Sequence, residues 1–131
     1  MASIFSKIVS GELPSFKIAE NENYMAILDI TPLVDGHTLI IPKKEIDYIF
    51  DMDDELYKGL FLFAKQVSSA IRKAIPCKRV GIAVIGLEVP HAHIHLVPLQ
   101  NVGDINFEKP KMKIDQMDLQ KTCDKIRAQL N

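Results

Sequence analysis

The chain has few cysteines, almost no net charge and no long apolar run, and each shortage excludes something. Only two cysteines occur in 131 residues, Cys77 and Cys123, far apart and without metal-ligand spacing. They are expected to be reduced thiols in a cytoplasmic protein. Net charge is -1 with 25% charged residues, so there is no basic excess to hold a nucleic-acid backbone. A mononucleotide ligand stays open. No apolar run approaches the ~20 residues of a membrane span, and Met1 to Lys7 has no long apolar core, so neither a membrane segment nor a secretory signal is expected. What is present is ordinary for a folded protein: 47% hydrophobic residues, enough for one core in a single domain over 1–131.

The elements read as follows. Apolar residues at 4, 5, 8 and 9 predict a short amphipathic helix starting at Ser3 and ended by Gly11 and Pro14. Phe16 to Glu20 and Tyr24 to Ile30 predict two strands joined by Asn21-Glu22-Asn23. Thr38 to Ile41 is a third, closed by Pro42. Leu56, Leu60, Phe63, Val67, Ala70, Ile71 and Ala74 recur at helical spacing, with Asp53 or Asp54 as the cap. Arg79 to Ile85 is apolar enough for a buried strand, Gln100 to Lys113 reads as irregular chain, and Asp115 to Leu130 as a last helix. Short links favour antiparallel pairing, hence an α+β domain of two layers.

One stretch stands apart. His91-Ala92-His93-Ile94-His95-Leu96 holds three of the four histidines, alternating with apolar residues. The alternation predicts a strand with imidazoles on one face. The fourth histidine, His37, begins the third strand, and all four are expected to converge on one site. Asp29 is the one charge in the apolar run from Tyr24 to Leu33. It is either a surface carboxylate at a strand end or an acceptor for a pair of ligand hydroxyls.

Three readings fit such histidines: metal ligation, nucleophilic attack on phosphorus, or a polar strand face without function. Residues 89–99 contain no acid, which favours a phosphate over a cation. Clustered imidazoles repel one another's protons, so activity is expected to fall on the acid side.

His91-Ala92-His93-Ile94-His95-Leu96-Val97 resembles the signature of the histidine triad (HIT) family. Ile4 to Pro14, Leu28-Asp29-Ile30-Thr31-Pro32 and Gly36 to Lys43 resemble that family's opening helix and central strands, in its order and spacing. The resemblance implies an antiparallel sheet of about five strands with one long helix and short terminal helices. It also implies a homodimer through the helix and sheet edge, and a nucleotide hydrolase or transferase acting at the α-phosphate of nucleoside phosphoramidates or related conjugates, without a cofactor or metal. By motif position His93 would be the nucleophile, with the His91 carbonyl holding its Nδ1. His95 would donate to the phosphate, and His91 and His37 would complete a network. Asp29 would accept from the ribose, and Ile4, Phe5, Ile8, Ile27 and Leu39, with Val89 of the loop before the triad, would hold a purine base. Two features depart from the family. Leu87 and Glu88 stand where many relatives use polar residues to hold the phosphate, and the paired cysteines that some relatives use for a structural zinc are missing. Two competing readings are a metal-dependent enzyme and a nucleotide-binding regulator with weak catalysis.

Overall fold

The computed structural model describes residues 2–130. Helix α1 (Ile4–Val9) is followed by strands β1 (Lys17–Glu20), β2 (Tyr24–Leu28) and β3 (Thr38–Pro42). Helix α2 (Asp54–Ala74), strands β4 (Arg79–Ala83) and β5 (Ile94–Leu99) and helix α3 (Gln116–Arg127) complete the chain. The five strands form one sheet in the order β1-β2-β3-β5-β4, antiparallel at every pairing. The α+β class and five-stranded sheet implied by the resemblance are what is found.

The sheet's two faces have different tasks. Tyr24, Ala26, Leu28 and Ile40 face α2 and join Leu60, Phe63, Val67 and Ile71 in the main core, which α3 closes with Leu119, Cys123 and Ile126. Met25, Ile27, Leu39 and Ile41 face the other way and pack with Phe5 of α1. Burial on both faces explains why β2 and β3 read as continuous apolar runs instead of alternating. Leu60 and Ile71 are fully buried; side chains of this size each contribute about 1.5–3 kcal/mol on burial. Asp53 caps α2 by accepting from the Leu56 N–H. Gly59 costs helix propensity but is needed, because a Cβ there would overlap the Tyr24 hydroxyl, which donates to the Leu56 carbonyl.

Three expectations are corrected. β5 begins at Ile94, so His91, Ala92 and His93 lie in the approach to the strand. Ala92 N–H donates instead to Ile46 O at 2.7 Å. The alternation survives nonetheless: Ala92, Ile94 and Leu96 enter the α2 core. β4 is not buried; it is a half-exposed edge strand, with Ile82 52% exposed. The irregular stretch after β5 contains a 3₁₀ turn, Val102–Ile105.

Candidate active site

His37 is placed by a turn that only glycine permits. Gly36 has φ +93°, and a Cβ there would meet Ile75 Cγ1 at 3.0 Å and Pro98 Cγ at 3.2 Å. The imidazole that follows is 1% exposed. Its Nδ1 accepts from the Leu33 N–H at 3.1 Å. A backbone N–H can only donate, so the proton of neutral His37 resides on Nε2. That nitrogen lies 3.0 Å from His95 Nδ1, which must accept. His95 therefore carries its own proton on Nε2, the nitrogen left for the cleft.

His93 is arranged in the opposite sense. Its Nδ1 lies 2.8 Å from the His91 carbonyl oxygen. A carbonyl only accepts, so Nδ1 holds the proton and Nε2 keeps its lone pair. Two residues apart in sequence, one imidazole thus offers a lone pair and the other an N–H. Their ring centroids are 4.8 Å apart.

His91 does not join this pair, contrary to the expected convergence of all four rings. Its Nε2 donates to Pro42 O at 2.8 Å, and its Nδ1 accepts from the Ser3 hydroxyl at 2.7 Å. Ser3 also caps α1 by accepting from the Ser6 N–H. Glu45 receives the Ser3 N–H and the Ser6 hydroxyl, and those donors hold its carboxyl down at about 2. Both nitrogens of His91 are consumed in fastening α1 to the sheet. What it offers the site is its carbonyl.

Burial governs protonation here. It pushes His37 down to about 4 against a weaker upward pull from Asp29, and it pushes His95 down to about 3 with help from His93 and His37. His93 is also lowered by burial, while its bond to the His91 carbonyl pulls it back. Repulsion between imidazoles, the cause expected from the sequence, ranks behind desolvation in each case.

Ile4, Phe5, Ile8, Ile27, Leu39 and Val89 line one cleft together with Asp29, His93 and His95. Its volume of ≈ 310 Å³ is at the lower end of the roughly 300–1,000 Å³ typical of small-molecule sites. Phe5 turns its ring edge to His93, with centroids 4.9 Å apart. Asp29 lies just past β2. Its Oδ1 accepts from the Thr31 N–H at 2.9 Å, and its Oδ2 is 3.7 Å from His37 Nε2. A second cavity continues past His93 and His95, lined by Gly86, Leu87, Glu88, Phe107 and Lys111. Phe107 lies against His95, with centroids 4.6 Å apart. Phe107 and Lys111 escaped the sequence reading because the 100–113 stretch has no periodicity to place it.

The HIT domain family profile matches residues 10–102. The chain belongs to the HIT family. It is 36% identical over 108 residues to Protein hit of Bacillus subtilis, covering 77% of this chain and 73% of that one. It is 37% identical over 98 residues to the adenosine 5'-monophosphoramidase of Saccharomyces cerevisiae, covering 74% of this chain and 62% of that one. The crystal structure of a zinc-bound histidine triad family protein from Mycobacterium smegmatis superposes with a TM-score of 0.84 at 31% identity, covering 98% of this chain and 93% of that one.

Zinc in that relative raises the question of metal here. Asp29, His37 and His95 each have a ligand-type atom within 4.8 Å of the others. They do not suit a cation. The Leu33 N–H fixes the His37 proton on Nε2, the nitrogen facing both partners, and a metal would have to displace it. In the Ser3, Ser6, Glu45 and His91 cluster two of the four members are hydroxyls, which are not among zinc's usual thiolate, imidazole and carboxylate ligands, and both His91 nitrogens are already hydrogen-bonded. Among the described residues, no helix is long and apolar enough to cross a membrane.

Proposed function

We propose that this HIT protein is a nucleotide hydrolase or transferase that cleaves nucleoside phosphoramidates or related conjugates at the α-phosphate. The observation that carries the reading is the opposed protonation of His93 and His95 at the mouth of an apolar cleft. The base lies in the slot of Ile4, Phe5, Ile8, Ile27 and Leu39, beside Val89. The six side chains of that slot are all apolar and offer a base no side-chain hydrogen bond, so discrimination between bases is weak. Asp29, already holding Thr31 through one oxygen, turns the other to the ribose hydroxyls.

His93 Nε2 forms a bond to phosphorus, and the bond from phosphorus to the leaving nitrogen or oxygen breaks. The leaving group takes up a proton from solvent. His95 Nε2–H donates to a non-bridging oxygen as charge builds there. Water then attacks phosphorus, the Nε2–phosphorus bond breaks, and the water releases the proton that the first step consumed. His91 and His37 act from behind, one through its carbonyl and the other through its Nε2–H. No metal or cofactor enters this scheme.

The same reading makes the protein a cytoplasmic homodimer. β4 is an edge strand, and Leu62, Ile82, Tyr48 and Phe50 expose 61%, 52%, 57% and 67% of their surface beside it and α2. Pairing two copies along β4 and α2 would cover them. The free thiols of Cys77 and Cys123 fit a reducing compartment.

The test is intact-protein mass spectrometry after rapid acid-free quenching with an adenosine phosphoramidate. Wild type should gain one nucleotidyl unit of ~330 Da, the mass of a covalent AMP intermediate, and His93→Ala should gain none. Turnover that survives in His93→Ala would refute the assignment.

A further inference from the structure

The base cleft and the second cavity meet at six residues: Asp29, Glu88, Val89, His93, His95 and Lys111. A phosphate attacked by His93 must sit at that junction. Its charge needs compensation there. His93 and His95 are held neutral by burial, and Asp29 and Glu88 are acids. Leu87 is apolar and 88% exposed. Glu108 adds a further carboxylate to the second cavity. Among the described residues, Lys111 is the one lysine or arginine lining either space.

The chain holds Lys111 between two fixed points. Four residues earlier, Phe107 packs on His95 and also turns its edge to His37, with centroids 6.1 Å apart. One residue later, the Met112 N–H donates to Pro32 O at 2.8 Å, fastening the strap across the loop that follows Asp29. The Lys111 charge also helps keep His37 and His95 unprotonated, as expected of a cation close to both rings. Lys109, on the same strap, turns elsewhere. Its Nζ lies by Gly103, and its charge acts on Asp104.

From this placement we infer that Lys111 is the phosphate-binding cation of the site. Its ammonium takes the non-bridging oxygens of the nucleotide's α-phosphate, in place of the side-chain hydrogen-bond donors that Leu87 and Glu88 do not supply. The inference rests on the nucleotide reading above and gives it a charge-bearing residue outside the triad.

The experiment is titration calorimetry of AMP and of adenosine into wild type, Lys111→Ala, Lys111→Arg and Lys109→Ala, each checked for folding by circular dichroism. Lys111→Ala should weaken AMP binding roughly 10-fold or more, the scale of one charge-assisted hydrogen bond, and leave adenosine unchanged. Lys111→Arg should restore part of the loss, and Lys109→Ala should bind both ligands as wild type does. Equal AMP affinity in Lys111→Ala and wild type would overturn the inference. So would equal losses for AMP and adenosine, or the same loss in Lys109→Ala. Failure of folded wild type to bind either ligand would overturn the nucleotide reading and this inference with it.

Discussion

The two ends of the histidine run make an instructive contrast. At one end His91 is clamped between Ser3 and Pro42, with both ring nitrogens satisfied inside the protein. At the other, His95 is gripped at one nitrogen only, by His37, and its second nitrogen is left for the cleft. His93 lies between them, fixed through its Nδ1. The residue type is the same and the spacing regular, yet one ring is a fastener, one keeps a free lone pair and one presents an N–H. A histidine's role is set by what holds its other nitrogen. Four histidines thus divide into two that are fully engaged, His91 and His37, and two with a nitrogen to spare.

Substitutions can break this contrast in graded steps. His93→Ala removes the lone pair and should lower kcat by about 10⁴-fold or more, as loss of a nucleophile does, with the fold intact by circular dichroism. His95→Ala removes one preorganised donor and should cost about 10²–10³-fold in kcat, measured on the same phosphoramidate. His37→Asn should cost less than His95→Ala and act on kcat more than on KM, because it frees His95 to turn without removing it. Ser3→Ala addresses the fastening end. It deletes both the α1 cap and the donor to His91 Nδ1, and should cost about 1–3 kcal/mol of stability in urea titrations, with a smaller effect on turnover than any of the three histidine changes.

Acid sharpens the same contrast. His37 and His95 are held at about 4 and about 3 in the fold, against roughly 6.5 in an unfolded chain. The unfolded chain therefore takes up protons first as pH falls. These rings leave stability undiminished above about pH 6.5. They erode it below that, until the folded protein protonates in turn near 4 and 3. Urea midpoints from pH 7 to pH 4 should fall in wild type and fall less in His37→Asn.

Much of this architecture was legible in the chain. The stripe from Leu56 to Ala74 marks α2, and the alternation at 91–96 does place Ala92, Ile94 and Leu96 in the core. The capping aspartate of α2 was readable to within one residue, as Asp53 or Asp54, and it is Asp53 that accepts from the Leu56 N–H. The division of labour among the histidines was not, since it depends on Ser3, Pro42 and Leu33, whose bonds to His91 and His37 are side-chain and turn details without a periodic signature. Lys111 and Phe107 were hidden for a similar reason: one long-range backbone bond, Met112 to Pro32, folds an aperiodic segment over the site. Like-charge repulsion was the visible cause of depressed basicity, but spacing alone could not show that His37 and His95 are 1% and 9% exposed, and desolvation outweighs it.

The opposed protonation of His93 and His95 is the centre of the account, and ¹⁵N imidazole shifts read it directly. Two-bond ¹H–¹⁵N correlation spectra of selectively labelled protein at pH 7, assigned with His93→Ala and His95→Ala, should show His93 protonated at Nδ1 and bare at Nε2. His95 should show the reverse. The same tautomer in both rings, or a doubly protonated ring in either, would contradict it.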